Sequence, residues 1–530
     1  MKKLLYILVF CLFMTSCSSL PNKEEDNDDI ILASNSKMPI NIAIDSLDTF
    51  HPLFTKSTTI RDAMQLIYEP LFALDSAHNP VSVLAESMTP SSDGYSYTIK
   101  LKDSILWHDG TPLSAKDVVH SFNVIRYNDT AYTKELSCVS GVSVVDARTV
   151  SVKLNRPVPN FCALLTFPIV PNSKAEVAIE SYVPIGTGMF CYDKKISSDK
   201  IRLIPNEAKT GENRSEIHLN ILKNSSDILN AFNASEIDAV TSTVLDLQTD
   251  SIRGEVNGYD YISNSMSFLG INNTKSVLSG ANTKKAISYL IDREDIVTNE
   301  IFSRAKSASL PINPAAWYNP KMGESSRDFE YIADMLALDG WVKDTDNKYK
   351  RTKLIYSESS PDGEEILEVL SANILVNENN NERVRVAQRI ANKLSGFGIE
   401  SSVTAVSFED YTRRIDEKNY MLFTGETVIP RNMDIHYLLS SADNYFAYTS
   451  EKMNNAVYRL GVATTTDEQM NAYSAFAKIF SEELPFIPLF FRKENVYFSK
   501  NLSGTAPPTL LTPYENAHNW YISTVQMKGN

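Results

Sequence analysis

Residues 84–126 of the chain, LAESMTPSSDGYSYTIKLKDSILWHDGTPLSAKDVVHSFNVIR, decide its fold. Within them Asp93-Gly94 is a dipeptide typical of tight hairpin turns. Apolar and polar residues alternate after this turn, with the apolar positions at Tyr95, Tyr97, Ile99 and Leu101. Because side chains of a strand point alternately to its two faces, this pattern predicts a β-strand that is buried on one side.

A second turn and a helix follow in the same stretch. His108–Pro112 contains the glycine and proline of a turn, and Ser114 comes shortly after it. The Ser114 hydroxyl is suited to cap a helix, and Asp117 three residues later completes the pattern of a capping box. Apolar residues then recur at helical spacing, at Val118, Phe122 and Ile125. The stretch therefore predicts a hairpin that leads into a helix and has its own small core.

These motifs resemble those of a known family. Leu84–Ser87, Ser92–Gly94 and Trp107–Val118 stand in the order found in ABC-transporter solute-binding proteins of family five, the peptide, dipeptide and nickel binders. A single Asp-Gly pair or capping box would mean little, but this many ordered positions make a specific match. Similar motifs at Asp45–Leu53 and Leu484–Phe491 extend the resemblance over nearly the whole chain.

The resemblance implies an α/β fold, namely a two-lobed, periplasmic-binding-protein-like clamshell of type II with an extra small α/β module on lobe I. Lobe I would be discontinuous and would consist of residues 38–83, 184–275 and 488–530. The small module would be residues 84–183, and lobe II would be residues 276–487. The length of 530 residues independently predicts more than one domain, because a single core stops growing well below that size.

The N-terminus has the features of an export signal. Residues 1–16 contain two lysines and an apolar run that is too short to span a bilayer, so we expect a signal peptide. Small residues before Cys17 resemble a lipobox, with Met14 where leucine is more usual, and Cys17 is the expected lipidation site. Residues 17–37 are acidic and are expected to be a disordered, lipidated tether. The expected location is the outer face of the cell membrane or the periplasm.

Composition narrows the range of partners. The net charge of -14 at pH 7 opposes binding to phosphate backbones, so no nucleic-acid partner is expected. No two of the seven histidines stand at metal-ligand spacing, and neither a metal site nor a cofactor is predicted. Apart from Cys11 and Cys17, the cysteines are Cys138, Cys162 and Cys191, which leaves open either one disulfide or three buried thiols.

The resemblance also indicates where a solute would bind. Met421–Thr427 and the following residues occupy the place where peptide binders of the family carry an aspartate that takes the α-amino group of the peptide. That motif is degraded here, so Glu426 is the first candidate carboxylate and Asp434 the second. A carboxylate pairs with an ammonium group through a charge-assisted hydrogen bond. The loop that lies alongside the peptide main chain in the family matches Lys56, Ser57 and Thr58.

The implied function is capture of an extracellular peptide and its delivery to the permease subunits of an ABC importer. The protein would be a monomer without enzymatic activity, held to the membrane by its N-terminal lipid. Alternatives are a non-peptide solute, such as an oligosaccharide or a nickel chelate, and a sensor of a peptide signal. A lipoprotein hydrolase is disfavoured, because the sequence contains no Gly-x-Ser-x-Gly elbow and no His-Glu-x-x-His motif.

Overall fold

The structure is a computed structural model that describes residues 31–36, 38–245, 251–322, 328–357, 360–441 and 444–526. The predicted signal peptide, Cys17 and most of the predicted tether lie outside the described residues. The end of that tether, Ile31–Ser36, forms a strand that pairs antiparallel with Tyr521–Gln526. Backbone hydrogen bonds to the C-terminal strand therefore order a segment for which the sequence predicted disorder.

In the described part of the chain the strands are numbered in chain order. They are β1 (Ile31–Ser36), β2 (Ile40–Ile44), β3 (Phe72–Leu74), β4 (Pro80–Ser82), β5 (Ala85–Pro90), β6 (Ser96–Leu101), β7 (Val139–Asp146), β8 (Thr149–Leu154), β9 (Phe190–Ser197), β10 (Lys200–Pro205), β11 (Ile217–Ile221), β12 (Ala239–Thr241), β13 (Val256–Ile271), β14 (Ala305–Ser307), β15 (Val342–Lys343), β16 (Tyr349–Ser357), β17 (Ser360–Val369), β18 (Ile374–Asn377), β19 (Val403–Val406), β20 (Leu422–Val428), β21 (Phe486–Ser499), β22 (Leu502–Ser503) and β23 (Tyr521–Gln526).

The helices are numbered in the same way. They are α1 (Thr58–Met64), α2 (Ala115–Tyr127), α3 (Glu207–Thr210), α4 (Ser225–Asn233), α5 (Ser242–Leu245), α6 (Ala281–Leu290), α7 (Arg293–Asn299), α8 (Phe329–Leu338), α9 (Asn381–Phe397), α10 (Phe408–Asp416), α11 (His436–Leu439), α12 (Glu451–Val462) and α13 (Thr466–Glu483). Polar N-caps start many of them, as at Asp292, whose side chain accepts the backbone N–H of Asp295.

Eleven of the described strands form one mixed sheet. Its order is β19-β18-β20-β13-β21-β12-β2-β11-β10-β9, and β14 pairs with β21 off this path. β2 has parallel neighbours in β11 and β12, and β18 has parallel neighbours in β19 and β20. We call the part built on β2 and β9–β12 lobe I and the part built on β18–β20 lobe II.

Two long strands join the lobes. β13 has 16 residues and β21 has 14, and they pair antiparallel along most of their length. β21 also pairs with β12 of lobe I, whereas β13 pairs with β20 of lobe II. The lobes are therefore halves of one sheet, connected by two strands that cross between them. The residue boundaries predicted for the lobes and the small module stay predictions.

The stretch 84–126 folds as its pattern predicts. Its strands belong to a four-stranded antiparallel sheet with the order β5-β6-β8-β7. Gly94 in the first turn has φ +72°, a conformation that glycine adopts without strain. At the start of α2 the Asp117 carboxylate accepts the backbone N–H (2.8 Å) and the hydroxyl (3.0 Å) of Ser114. The apolar stripe is fully buried, at Val118, Phe122 and Ile125.

Glycines bring the start of β9 against the end of α1. A side chain at Gly186 would place its Cβ 1.9 Å from the carbonyl oxygen of Ile67, so only glycine fits there. The backbone N–H of Gly188 donates to the same oxygen at 2.7 Å, and that of Phe190 donates to the carbonyl of Leu66 at 2.9 Å. These contacts place Phe190 and its neighbours beside α1.

The three cysteines within the described residues are free thiols, and of the three only Cys138 is buried, whereas Cys162 and Cys191 are half-buried. The structure therefore excludes a disulfide among them, and the alternative of three buried thiols is right for Cys138 alone. Burial raises the pKa of both Cys138 and Cys162 to about 12, so these thiols are protonated at neutral pH. Among the helices of the described residues, none is long and apolar enough to cross a membrane.

Candidate functional site

The crossing strands change register where the lobes meet. Ile262 and Met266 pair with residues only two apart on β21, so Ser263–Ser265 face a single residue, Arg492. The side-chain amide of the fully buried Asn313 donates to the carbonyl oxygens of Ile262 (3.2 Å) and Ser263 (3.1 Å). Extra residues of this kind form a β-bulge, which bends a strand and interrupts its ladder. The link between the lobes is therefore suited to act as a hinge.

Glu426, the first candidate carboxylate, lies on β20 beside this bulge and is bound by an arginine. Arg492 donates through Nε to both carboxylate oxygens (3.0 Å each) and through Nη2 to Oε2 (2.8 Å). The hydroxyls of Ser265 and Ser267 donate at 3.1 Å. Burial raises the pKa of Glu426, but the hydrogen bonds and charge of Arg492 outweigh it and hold the pKa below its usual value. Glu426 is therefore ionised and well hydrogen-bonded inside the protein.

The first turn of α9 completes this cluster. Arg492 also pairs with Glu382 through Nη2 and Oε1 at 2.5 Å, and Arg383 lies 3.7 Å from the Glu426 carboxylate. The positive charges of two arginines and the negative charges of two glutamates thus compensate one another, and their ion pairs connect α9 to the crossing strands. Glu426 would have to exchange Arg492 for an ammonium group to bind the end of a peptide. Its predicted role toward the solute stays a prediction.

Asp434, the second candidate, joins the small module to lobe II. Its carboxylate forms an ion pair with Arg156, which follows β8, and the Asp434 side chain is only 15% exposed. Close to it, the side-chain amide of Asn160 donates to the hydroxyl of Tyr473 on α13 at 2.7 Å. Both contacts lie between the same two parts of the molecule. Asp434 already has a positive partner, and its role in binding a solute also stays a prediction.

The predicted peptide-contacting loop, Lys56–Thr58, leads directly into α1. The backbone N–H of Lys56 donates to Asp48 (2.6 Å), and its carbonyl oxygen accepts from Arg61 (3.1 Å). Ser57 is the N-cap of α1, and its hydroxyl accepts a backbone N–H of the first turn at 3.2 Å. The Thr58 hydroxyl accepts from Arg61 at 2.9 Å. Because both backbone groups of Lys56 are engaged, a peptide would have to pair with other groups of this loop.

Near the crossing strands lies a set of acidic residues that the sequence motifs did not indicate. Glu494 on β21 accepts a hydrogen bond from the hydroxyl of Tyr261 on β13 at 2.6 Å. Asp62 on α1 lies within the electrostatic reach of Glu494. Burial and then the charge of Glu494 raise the pKa of Asp62 to about 7, against the opposing effects of Arg61 and Arg431. Near neutral pH Asp62 therefore exists in both its charged and its neutral form.

Of these acidic residues, the sequence could have indicated Asp62 but not Glu494. Asp62 is half-buried on α1 and lies outside the stripe formed by the fully buried Ile60, Ala63 and Met64, so helical spacing marks it as a polar position at the edge of the core. Tyr261 and Glu494 meet only because they are partners in the register of β13 and β21. No local pattern indicates that register. Within the described residues, no group of three or more His, Cys, Asp or Glu is arranged to hold a metal ion.

Two α/β lobes, linked by crossing strands with a polar cluster at the link, define a solute-binding protein of the type II clamshell class. Solved structures of the same fold support this class. A nickel ABC transporter protein of Bacillus halodurans aligns with a TM-score of 0.75 at 17% sequence identity, over 92% of this chain and 100% of the other. At this identity the likeness concerns the fold alone.

The chain belongs to the bacterial extracellular solute-binding proteins of family 5. Residues 79–446 match the middle region of that family. It is 21% identical to the oligopeptide-binding protein AppA of Bacillus subtilis, over 94% of each chain. A protein of Brucella ovis, named as an ABC transporter peptide-binding protein, is 27% identical over 46% of this chain. That match spans about half of the Brucella protein, 49% of its length.

Proposed function

We propose that this protein is an exported lipoprotein that captures a peptide outside the cell membrane and hands it to the permease of an ABC importer. The pair of crossing strands with a bulge at the lobe boundary carries the proposal, because it provides a hinge on which two lobes close around a solute. Family membership supports export, and similarity to an oligopeptide-binding protein along nearly the whole chain favours a peptide. The protein would bind and release its solute unchanged, as a monomer and without a catalytic role.

Solute capture is tested first by native mass spectrometry of the purified protein, which detects a retained solute by its mass. Small-angle scattering then follows addition of that solute or of an Ala-rich peptide series from dipeptides to nonapeptides. We expect binding to raise Tm and to lower the radius of gyration, because a ligand that binds the closed form shifts the population toward it. A retained sugar or metal chelate, with no response to any peptide, would contradict the peptide assignment.

The assignment of the peptide ammonium to Glu426 has its own test. We expect Glu426→Gln to weaken peptide binding by about 2 to 5 kcal/mol, and Nα-acetylation of the peptide to do the same to the wild type. Acetylation should add little in the variant, since both changes delete one pair. Calorimetry measures the affinities, and thermal unfolding without peptide checks that the variant is folded. If the loss appears in Asp434→Asn instead, Asp434 is the partner of the ammonium group.

The lipid anchor at Cys17 is proposed from the sequence alone. Lipidation there would attach the protein to the outer face of the membrane and leave the acidic segment that follows as a spacer. We expect Cys17→Ser to move the protein from the membrane fraction to the medium or periplasm without a change in Tm, because the sequence predicts that residues 17–37 are a tether and not part of a lobe. Mass spectrometry of the mature N-terminus provides the check. A mature chain that begins at another residue and carries no lipid would contradict the anchor.

A further inference from the structure

A cavity of about 350 Å³ lies between lobe II and the small module with the adjoining β3–β4 turn. It is lined on one side by Tyr97 and Phe161, which belong to the core of lobe I and the small module. On the other side it is lined by Trp317, which packs against the core of lobe II and whose backbone N–H donates to the carbonyl oxygen of Ala77 at 2.8 Å. A cavity of about 150 Å³ accommodates benzene, so this one has room for a ring with several substituents.

The lining of this cavity requires a neutral occupant. Among the residues that the structure describes, no Asp, Glu, Lys, Arg or His lines it. Another cavity at the same interface, by contrast, is lined by the ion pair of Arg156 and Asp434. A charged group that leaves water without a partner of opposite charge loses much free energy. The cavity beside Trp317 therefore disfavours ions of either sign.

Three side-chain amides supply hydrogen-bond acceptors to this lining. The amide nitrogens of Asn79, Asn160 and Gln469 each donate inside the protein, to a carboxylate (2.9 Å), a tyrosine hydroxyl (2.7 Å) and a backbone carbonyl (3.4 Å) respectively. Their side-chain carbonyl oxygens have no partner within the described part of the chain and remain accessible. Because an amide oxygen only accepts, a neutral occupant that uses these groups must supply O–H or N–H donors.

Aromatic faces form the apolar part of the lining. The rings of Tyr97 and Phe161 are stacked, with centroids 4.4 Å apart and planes at 29°. The indole of Trp317 is half-buried on the opposite side. The face of an aromatic ring carries partial negative charge, which attracts C–H groups. Aromatic faces combined with uncharged acceptors fit a sugar ring, because its faces consist of C–H groups and its rim carries hydroxyls.

We propose that this cavity binds a neutral sugar ring. The C–H face of the sugar would pack on the aromatic side chains, and its hydroxyls would donate to the side-chain oxygens of Asn79, Asn160 and Gln469. Among the described residues, none from β13, β20 or β21 lines the cavity, so the site is separate from the cluster around Glu426 and goes beyond the proposed function. Because the two walls come from opposite sides of the interface, a bound sugar favours the closed form of the protein.

The experiment uses the full chain and two matched sets of monosaccharides. Glucose and galactose are the neutral probes, and their amino sugars and uronates keep the ring but add a charge of either sign. We expect calorimetry to show that at least one neutral sugar binds and that its two charged counterparts bind at least about tenfold more weakly, because the cavity offers no opposite charge. Saturation with the neutral sugar should also lower the radius of gyration in small-angle scattering.

Two variants test whether the sugar lies in this cavity. Gln469→Ala removes an acceptor and Trp317→Leu removes an aromatic face, so each should weaken sugar binding at least about tenfold. Gln388→Ala is the matched control, because Gln388 is an exposed glutamine on α9 of lobe II and should leave the affinity unchanged. Thermal unfolding checks that each variant is folded, and Gln469→Ala provides the test if Trp317→Leu does not fold.

Every other result overturns the assignment. Absence of binding for both neutral sugars, or equal affinity for the neutral and charged forms, would show that the cavity is not a neutral sugar site. Tighter binding of the amino sugars would instead indicate a cation held by the aromatic rings. Sugar binding that survives in the folded variants, or a sugar that a bound peptide displaces, would place the sugar elsewhere. Absence of peptide binding together with sugar binding as expected would contradict only the proposed function.

Discussion

Asp62 is a residue whose charge is controlled by the fold. Burial, followed by the charge of Glu494, raises its pKa from 3.8 to about 7. Between these two values the folded chain holds a proton that the unfolded chain releases, so stability falls as the pH rises through this range. We therefore expect Asp62→Asn, which has the same shape and no charge, to raise Tm at pH 8. The gain should disappear near pH 4, where the native carboxyl is neutral.

The matched control is Asp334→Asn, because Asp334 is an exposed carboxylate on α8, far from this cluster in the chain. Its Tm should change little at either pH, since surface substitutions of this kind rarely alter stability by more than a few tenths of a kcal/mol. Thermal unfolding of all three proteins in the same buffers provides the comparison. A Tm of Asp62→Asn that equals the wild-type value at pH 8 would contradict the raised pKa.

At the scale of secondary structure, the bulge in β13 depends on Asn313. This side chain donates to two carbonyl oxygens of the bulge, and its own oxygen accepts the backbone N–H of Ala315 at 2.9 Å. Each buried polar group that loses its partner costs about 1 to 3 kcal/mol. We expect Asn313→Ala to lower the free energy of unfolding by at least ~2 kcal/mol in denaturant titrations. The expected cause is loss of support for the bulge and not loss of core volume.

Asn299→Ala is the control for this effect, because Asn299 is exposed at the end of α7 and its side-chain amide donates to the carboxylate of Asp295 at 2.8 Å. Its loss should cost less than ~0.5 kcal/mol, as for other surface positions. If both variants lose the same small amount, the bulge does not depend on the Asn313 amide. A larger loss in Asn313→Ala, together with an altered solute affinity, would connect the bulge to lobe closure.

At the scale of the whole molecule, the position of the lobes depends on contacts such as Arg156–Asp434 between the small module and lobe II. The ion pair is partly exposed, so it contributes little to unfolding stability. Its loss acts on the balance between open and closed forms, in which a small free-energy change shifts the populations. We expect Arg156→Ala to increase the radius of gyration of the solute-free protein in small-angle scattering and to leave Tm nearly unchanged.

Arg126→Ala removes an arginine from the same module whose side chain donates within that module, to the carbonyl oxygen of Ser140 at 2.7 Å. Its scattering curve should match that of the wild type. A radius of gyration for Arg156→Ala that also equals the wild-type value would show that the ion pair does not hold the lobes together. Saturating solute should bring both variants to one compact form, because binding energy then outweighs the missing contact.

The sequence by itself determined the local structure and the family. Three local features depend on residues that are only a few positions apart, so they can be recognised in the sequence. They are the turn at Gly94, the cap formed by Ser114 and Asp117, and the buried stripe of α2. The family motifs predicted the type II clamshell fold as well. The lipidation proposed for Cys17 rests on the sequence alone, since that residue lies outside the described residues.

Only the tertiary structure decided which charges are partners. Glu426 meets Arg492 across 66 positions of chain, and Asp434 meets Arg156 across 278 positions. Such pairs form because strand register and lobe packing bring distant segments together, and no local spacing encodes either. The cavity beside Trp317 has the same origin, since the small module and lobe II each contribute one wall. A carboxylate's neighbours, and therefore its availability to a solute, follow from the packing of the whole chain.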